Sequence, residues 1–201
     1  MAVFSVAMAY LEAAVVVYLR ALYYPGGFVF PLLPIPDRIA AIEVAREAAT
    51  IAMLACVAWL AGERRGERFP LFCVGFGIWD LLFYAWLRIL IGWPPRLMTW
   101  DILFLIPVPW TAPVLAPVIV SVALLAGGTI LLVRRRRGWA AMPAVSWAAG
   151  AAGGAFVLAA FTLDHAVVLA GGMPPPFRWG LFGAGMALAT AGLARAIARR
   201  A

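Results

Sequence analysis

The chain has 201 residues, of which 66% are hydrophobic and 12% charged, and its mean hydropathy is +0.98. A soluble domain is roughly 45–50% apolar and about 25% charged, so a water-soluble globule is excluded and a single integral membrane domain over residues 1–201 is expected. The net charge of +7 raises nucleic acid as a partner, but the arginines stand at the ends of apolar runs, which is the pattern of membrane orientation rather than of a phosphate-binding surface.

Other classes fall with single residue types. The chain has no lysine, which excludes a retinal Schiff base and a lysine nucleophile. Cys56 and Cys73 lie in apolar runs without a CxxC or CxxCH context, so a zinc finger, a disulfide scaffold and a c-type haem are not expected. His165 is the one histidine, which rules out a bis-histidine haem within the chain.

A spanning helix needs about 20 mostly apolar residues, and six windows qualify, at 2–23, 39–62, 69–92, 112–133, 142–170 and 179–198. The first, "MAVFSVAMAYLEAAVVVYLRALYY", lacks a basic leader and carries Glu12 in mid-run, so it reads as a membrane helix rather than a cleaved signal peptide. The connection 23–38 is rich in proline and aromatics. The second span opens with Glu43, Arg46, Glu47 and Thr50 and then continues without charge to "GERRGERF" (62–69). Glu43 and Glu47 share a helix face about 6 Å apart along the axis.

In the third span Gly77, Asp80, Tyr84 and Arg88 recur at helical spacing along one face. Tyr84 is placed to donate to Asp80, and Arg88 to reach outward to a lipid headgroup or to Asp101. The next connection, 92–113, contains "TWDILFLI" (99–106), read as a short interfacial helix with Thr99 or Asp101 near its start. The fourth span ends in "RRRR" (134–137). The fifth carries "AAGAAGGA" (148–155) and then Asp164 and His165, roughly 8–10 Å below its outer end. The sixth, with "GLFGAGMALATAG" (180–192), ends in "ARAIARR" (194–200). The small residues of these last two spans are expected to let the helices approach closely.

The three basic segments fall on one side if both termini are cytoplasmic. The expected fold is therefore an all-α bundle of six transmembrane helices in the plasma membrane. Its outer connections, rich in proline and aromatic residues, form rigid, partly embedded caps.

An Asp, Lys or Arg at the centre of an inserted helix costs about 2.5–3.5 kcal/mol. Buried ionisable groups in such number must therefore face inward and meet. By depth they gather in the middle and outer half of the bundle. The excess of carboxylates over arginines suggests a cation, foremost a divalent metal, held by Glu12, Glu43, Glu47, Asp80 and His165. Arg46, Thr50, Tyr84, Arg88, Asp101, Asp164 and Arg20 would orient those ligands or meet a substrate. Such a site would face the periplasm and serve chemistry on a lipid-soluble or periplasmic small molecule. Two alternatives compete: a proton- or cation-coupled transporter, and an accessory subunit of a larger membrane complex whose charges only pack. Membrane lipid and other membrane subunits are the expected partners.

Overall fold

The structure, a computed structural model, describes residues 1–33, 35–137 and 142–198. Helices account for 73% of the described residues. In order they are α1 (Ala2–Tyr23), α2 (Asp37–Ala61), α3 (Arg65–Ile91), α4 (Leu115–Arg136), α5 (Ala144–Thr162), the short α6 (His165–Leu169) and α7 (Trp179–Ala198). Between α3 and α4 run two strands, β1 (Trp100–Phe104) and β2 (Trp110–Pro113). Six helical segments are long and apolar enough to cross a membrane, the fifth being α5 continued through α6 to Leu169. Arg199 and Arg200 of the last basic segment lie outside the described residues.

α3 starts at Arg65, earlier than its apolar run, because the turn Arg65–Arg68 is amphipathic: Glu67 is buried, while the Arg68 guanidinium lies 3.6 Å above the Trp59 ring. Its other end closes on Gly92, whose φ of 69° provides the left-handed residue that terminates a helix without a Cβ penalty.

Packing follows the small residues. A Cβ on Gly153 of α5 would lie 2.6 Å from the Gly185 carbonyl oxygen of α7, and one on Gly185 would lie 2.7 Å from the Gly153 carbonyl oxygen. The two backbones therefore touch, as the small-residue runs predict. A Cβ on Gly77 would likewise lie 2.6 Å from the Ser121 carbonyl oxygen, which brings α3 against α4. α3 is the hub, packing on α1, α2 and α4, whereas α5 packs chiefly on α7.

β2 touches both α4 and α5 and so ties the two groups together. Ala112 of β2 is buried with Ala116, Val157, Phe161 and Phe182, and Trp110 stacks on Phe161 at 6.2 Å.

The segment 99–106 is where sequence reading and structure part. It is not an interfacial helix: Trp100–Phe104 is a strand, paired antiparallel with Trp110–Pro113 in the register Asp101↔Ala112 and Ile102↔Thr111, with an irregularity between Ile102 and Phe104. The physical reason is local. Pro107 and Pro109 cannot donate helical hydrogen bonds, and Trp100, Ile102 and Phe104 are residues that favour a pleated, half-buried surface.

The hairpin also points into the bundle. Phe104 packs with Phe76 and Trp79 of α3, beside the cluster of Met8, Ala9 and Leu54. Phe76 is about 22 Å along the axis from the end of α3 at Ile91, so the turn lies level with the middle of the helices.

Candidate functional site

Two buried polar groups occupy the hairpin half of the bundle. The first joins α1 to α2. The buried face of α2 is Glu43, Glu47 and Thr50, followed by Leu54 and Ala58. Arg46 donates from Nε to Glu43 Oε2 at 2.7 Å and from Nη1 to Glu12 Oε1 of α1. The Thr50 hydroxyl lies 3.2 Å from Glu12 Oε2 and 3.2 Å from the Arg46 carbonyl oxygen. One guanidinium thus sits between two carboxylates, with side-chain exposures of 21% for Arg46 and 10% for each acid. Glu47, one residue on, accepts the backbone N–H of Leu105 at 2.7 Å, at the start of the hairpin turn.

The second group joins α1, α3 and the hairpin. Arg20 donates to Asp101 Oδ1 at 3.1 Å, and Tyr84 donates to Asp101 Oδ2 at 3.3 Å. The Arg20 guanidinium lies 3.7 Å from the centre of the Trp93 ring and 4.6 Å from that of Phe28, a cation held between aromatic faces. Burial pushes the Asp101 carboxyl up to about 6, against the pull of the Arg20 charge and of hydrogen bonds from the Ile102 N–H and Tyr84. Nearby, Ser121 of α4 donates to Asp80 Oδ2 at 2.7 Å.

Several expected pairings are replaced. Tyr84 donates to Asp101 and not to Asp80, because β1 brings Asp101 over α3. Arg88 does not reach Asp101, which Arg20 already occupies. It donates instead to the carbonyl oxygens of Gly92 and Pro94, completing the end of its own helix.

Asp164 and His165 lie within the fifth apolar segment, Ala144–Leu169, at a break in its helix. α5 stops at Thr162, and Asp164 precedes α6 and is held by Arg178 through two hydrogen bonds, at 2.8 and 3.1 Å. That bidentate contact raises the Arg178 guanidinium pKa above its ordinary value. His165 Nδ1 meets the Thr162 carbonyl oxygen at 2.8 Å.

The donors do not fit a metal ion. Among the described residues no three His, Cys, Asp or Glu side chains are grouped as metal ligands would be. The set Glu12, Glu43, Glu47, Asp80 and His165 is divided: Glu12 and Glu43 face Arg46, Asp80 faces Ser121, and His165 faces a backbone carbonyl. The position a cation would take between Glu12 and Glu43 already holds a guanidinium, which supplies the positive charge itself. No protein family, curated protein or solved structure matches the chain.

Ser121 and the Leu105 N–H were not among the residues singled out from sequence. Ser121 had a visible signal, as a hydroxyl in an otherwise apolar stretch of the fourth span. A backbone donor at a hairpin turn had none.

Proposed function

We propose that the chain is a proton-coupled membrane carrier whose exchangeable protons reside on Glu47 and Asp80. The support is a pattern of pairing. In the hairpin half of the bundle Glu12, Glu43, Asp101 and Asp164 each meet an arginine, whereas Glu47 and Asp80 are buried on a backbone N–H and a serine hydroxyl. Glu67, also buried without an ion pair among the described residues, lies at the opposite end of α3. Intramembrane carboxyls without a counter-charge mark proton and cation pathways.

The observation that carries the reading is the bond from Leu105 to Glu47. It makes a titratable group the anchor of a hairpin turn lying half-way down the helices. A charged carboxylate is the stronger acceptor. Loading a proton on Glu47 weakens that anchor and unloading restores it, so the charge state biases the position of the hairpin. A mobile element biased by one protonation step is what coupling requires.

The buried face of α2 beyond Thr50 is Leu54 and Ala58, which interrupts a polar route and favours a carrier over an open channel. The cargo class that fits is a small cation or lipid-soluble molecule exchanged with the proton. The arginine distribution supports a plasma-membrane location with both termini cytoplasmic and the hairpin end outside. In this reading residues 1–201 act as one domain, and the proline- and aromatic-rich connections cap its outer end.

The test is proton movement in vesicles. Purified protein in proteoliposomes containing an entrapped pH dye should acidify or alkalinise the lumen when a gradient of a small cation such as sodium or potassium is imposed. Glu47→Gln and Asp80→Asn should abolish this, and Glu63→Gln, an exposed acid at the opposite end, should leave it intact. Wild-type vesicles that hold their pH, or a Glu47→Gln protein as active as wild type, would return these acids to packing within an accessory subunit.

A further inference from the structure

The arginines of the hairpin end are of two kinds. Arg20 and Arg178 are each committed to an aspartate. Arg88 and Arg96 are exposed, and neither has a carboxylate within ion-pair distance among the described residues. Arg88 makes its contacts with carbonyl oxygens through Nη1 alone, which leaves the rest of its donor fork available. The two guanidiniums line one open cavity of about 350 Å³, where the end of α3 meets the start of α4. Its other walls are mostly apolar, with Ala85 on α3 and Val114 and Val118 at the start of α4.

We infer that this cavity binds the headgroup of an anionic membrane phospholipid. Guanidinium forks match phosphate oxygens in geometry and charge, and two of them without acids leave a net positive site. The surroundings point to a lipid as the source of that phosphate. Val122 is 52% exposed one turn beyond Val118 towards the middle of α4, Leu97 is an exposed wall of the cavity, and Ile89 and Met98, next in the chain to the lining residues Arg88 and Leu97, are exposed as well. An apolar surface thus leads from the charged mouth down the outside of the helix pair, along the course an acyl chain takes. Free phosphate shares the headgroup chemistry but makes no use of that surface. The inference is independent of proton coupling, since neither Glu47 nor Asp80 lines the cavity.

The test is titration of detergent-solubilised protein, followed by native mass spectrometry. The probes are dioleoyl phosphatidylglycerol, dioleoyl phosphatidylcholine and inorganic phosphate. Phosphatidylglycerol should bind saturably and at least tenfold more tightly than phosphatidylcholine. Arg88 closes α3, so the decisive variants are Arg96→Gln and Ala85→Trp, the latter filling the cavity from an exposed position. Each should weaken phosphatidylglycerol binding about tenfold, the scale of one charge-assisted contact. Arg38→Gln, a change at an exposed arginine on α2 away from the cavity, should not weaken it. Equal binding of the two lipids, unchanged binding in Arg96→Gln and Ala85→Trp, or phosphate competing at the lipid's own affinity would each overturn the assignment.

Discussion

Replacing Arg46 by methionine removes the positive charge that two carboxylates share. The side chains of Glu12 and Glu43 are each 10% exposed and both bond to that guanidinium, so Arg46→Met leaves two buried acids without their cation. Breaking a buried ion pair by removing one partner costs about 3–5 kcal/mol, because the remaining charge stays desolvated. Part of the loss is recovered if one acid takes up a proton, which places the expected cost near the lower end, about 3 kcal/mol. The triple variant Glu12→Gln, Glu43→Gln, Arg46→Met has no charge left to strand and should regain at least half of that. The assay is reversible unfolding in mixed micelles of rising dodecyl sulfate fraction, followed by tryptophan fluorescence at pH 7. A loss below about 1 kcal/mol for Arg46→Met, or a triple variant no more stable than the single one, would refute the view that Arg46 holds the pair of acids together.

Three further outcomes follow from the geometry. Glu47→Ala should speed hydrogen exchange at the Leu105 amide by roughly ten- to a hundredfold, the scale of one bond to a charged acceptor; unchanged exchange would mean that the turn is held by other contacts. Gly153→Val should destabilise the α5–α7 pair by at least about 1–3 kcal/mol, the ordinary cost of overpacking, because its Cβ would fall 2.6 Å from a backbone oxygen, whereas Gly150→Ala, with open space around it, should be neutral; similar unfolding of the two variants would contradict the close crossing. Asp101, pushed up from an ordinary 3.8 to about 6, binds its proton more readily folded than unfolded. Stability should therefore fall as pH rises from about 4 to 6, by a few kcal/mol at most, and Asp101→Asn should flatten that slope; a slope that survives the substitution would assign it elsewhere.

Position along each helix was legible in the sequence, and direction was not. Glu12, Glu43, Glu47 and Asp80 all fall inside helices α1, α2 and α3, where the apolar runs put them. The apolar runs could not say that Asp80 turns towards Ser121 on α4 while Glu12 turns towards α2, because the rotation of each helix is set by tertiary packing. Gly77 shows this: its missing Cβ admits the Ser121 backbone and brings α4 to the Asp80 side of α3. The hairpin was misread because Trp, Ile, Leu and Phe suit a short helix or a buried strand equally by periodicity. Pro107 and Pro109 were the discriminating signal. Asp164 and His165 lie on the fifth apolar segment as the sequence predicts, but its helix breaks after Thr162, and the turn there brings them to Arg178 and to the backbone.

A two-stranded ribbon has two unpaired edges, and hydrocarbon offers no hydrogen bond to either. Glu47 of α2 supplies one such bond, to the Leu105 N–H, and α5 packs over β2. If α2 swung away, the bared Leu105 amide would need water in place of the carboxylate, so separation of that flank and wetting of the interior beside the turn would be a single event.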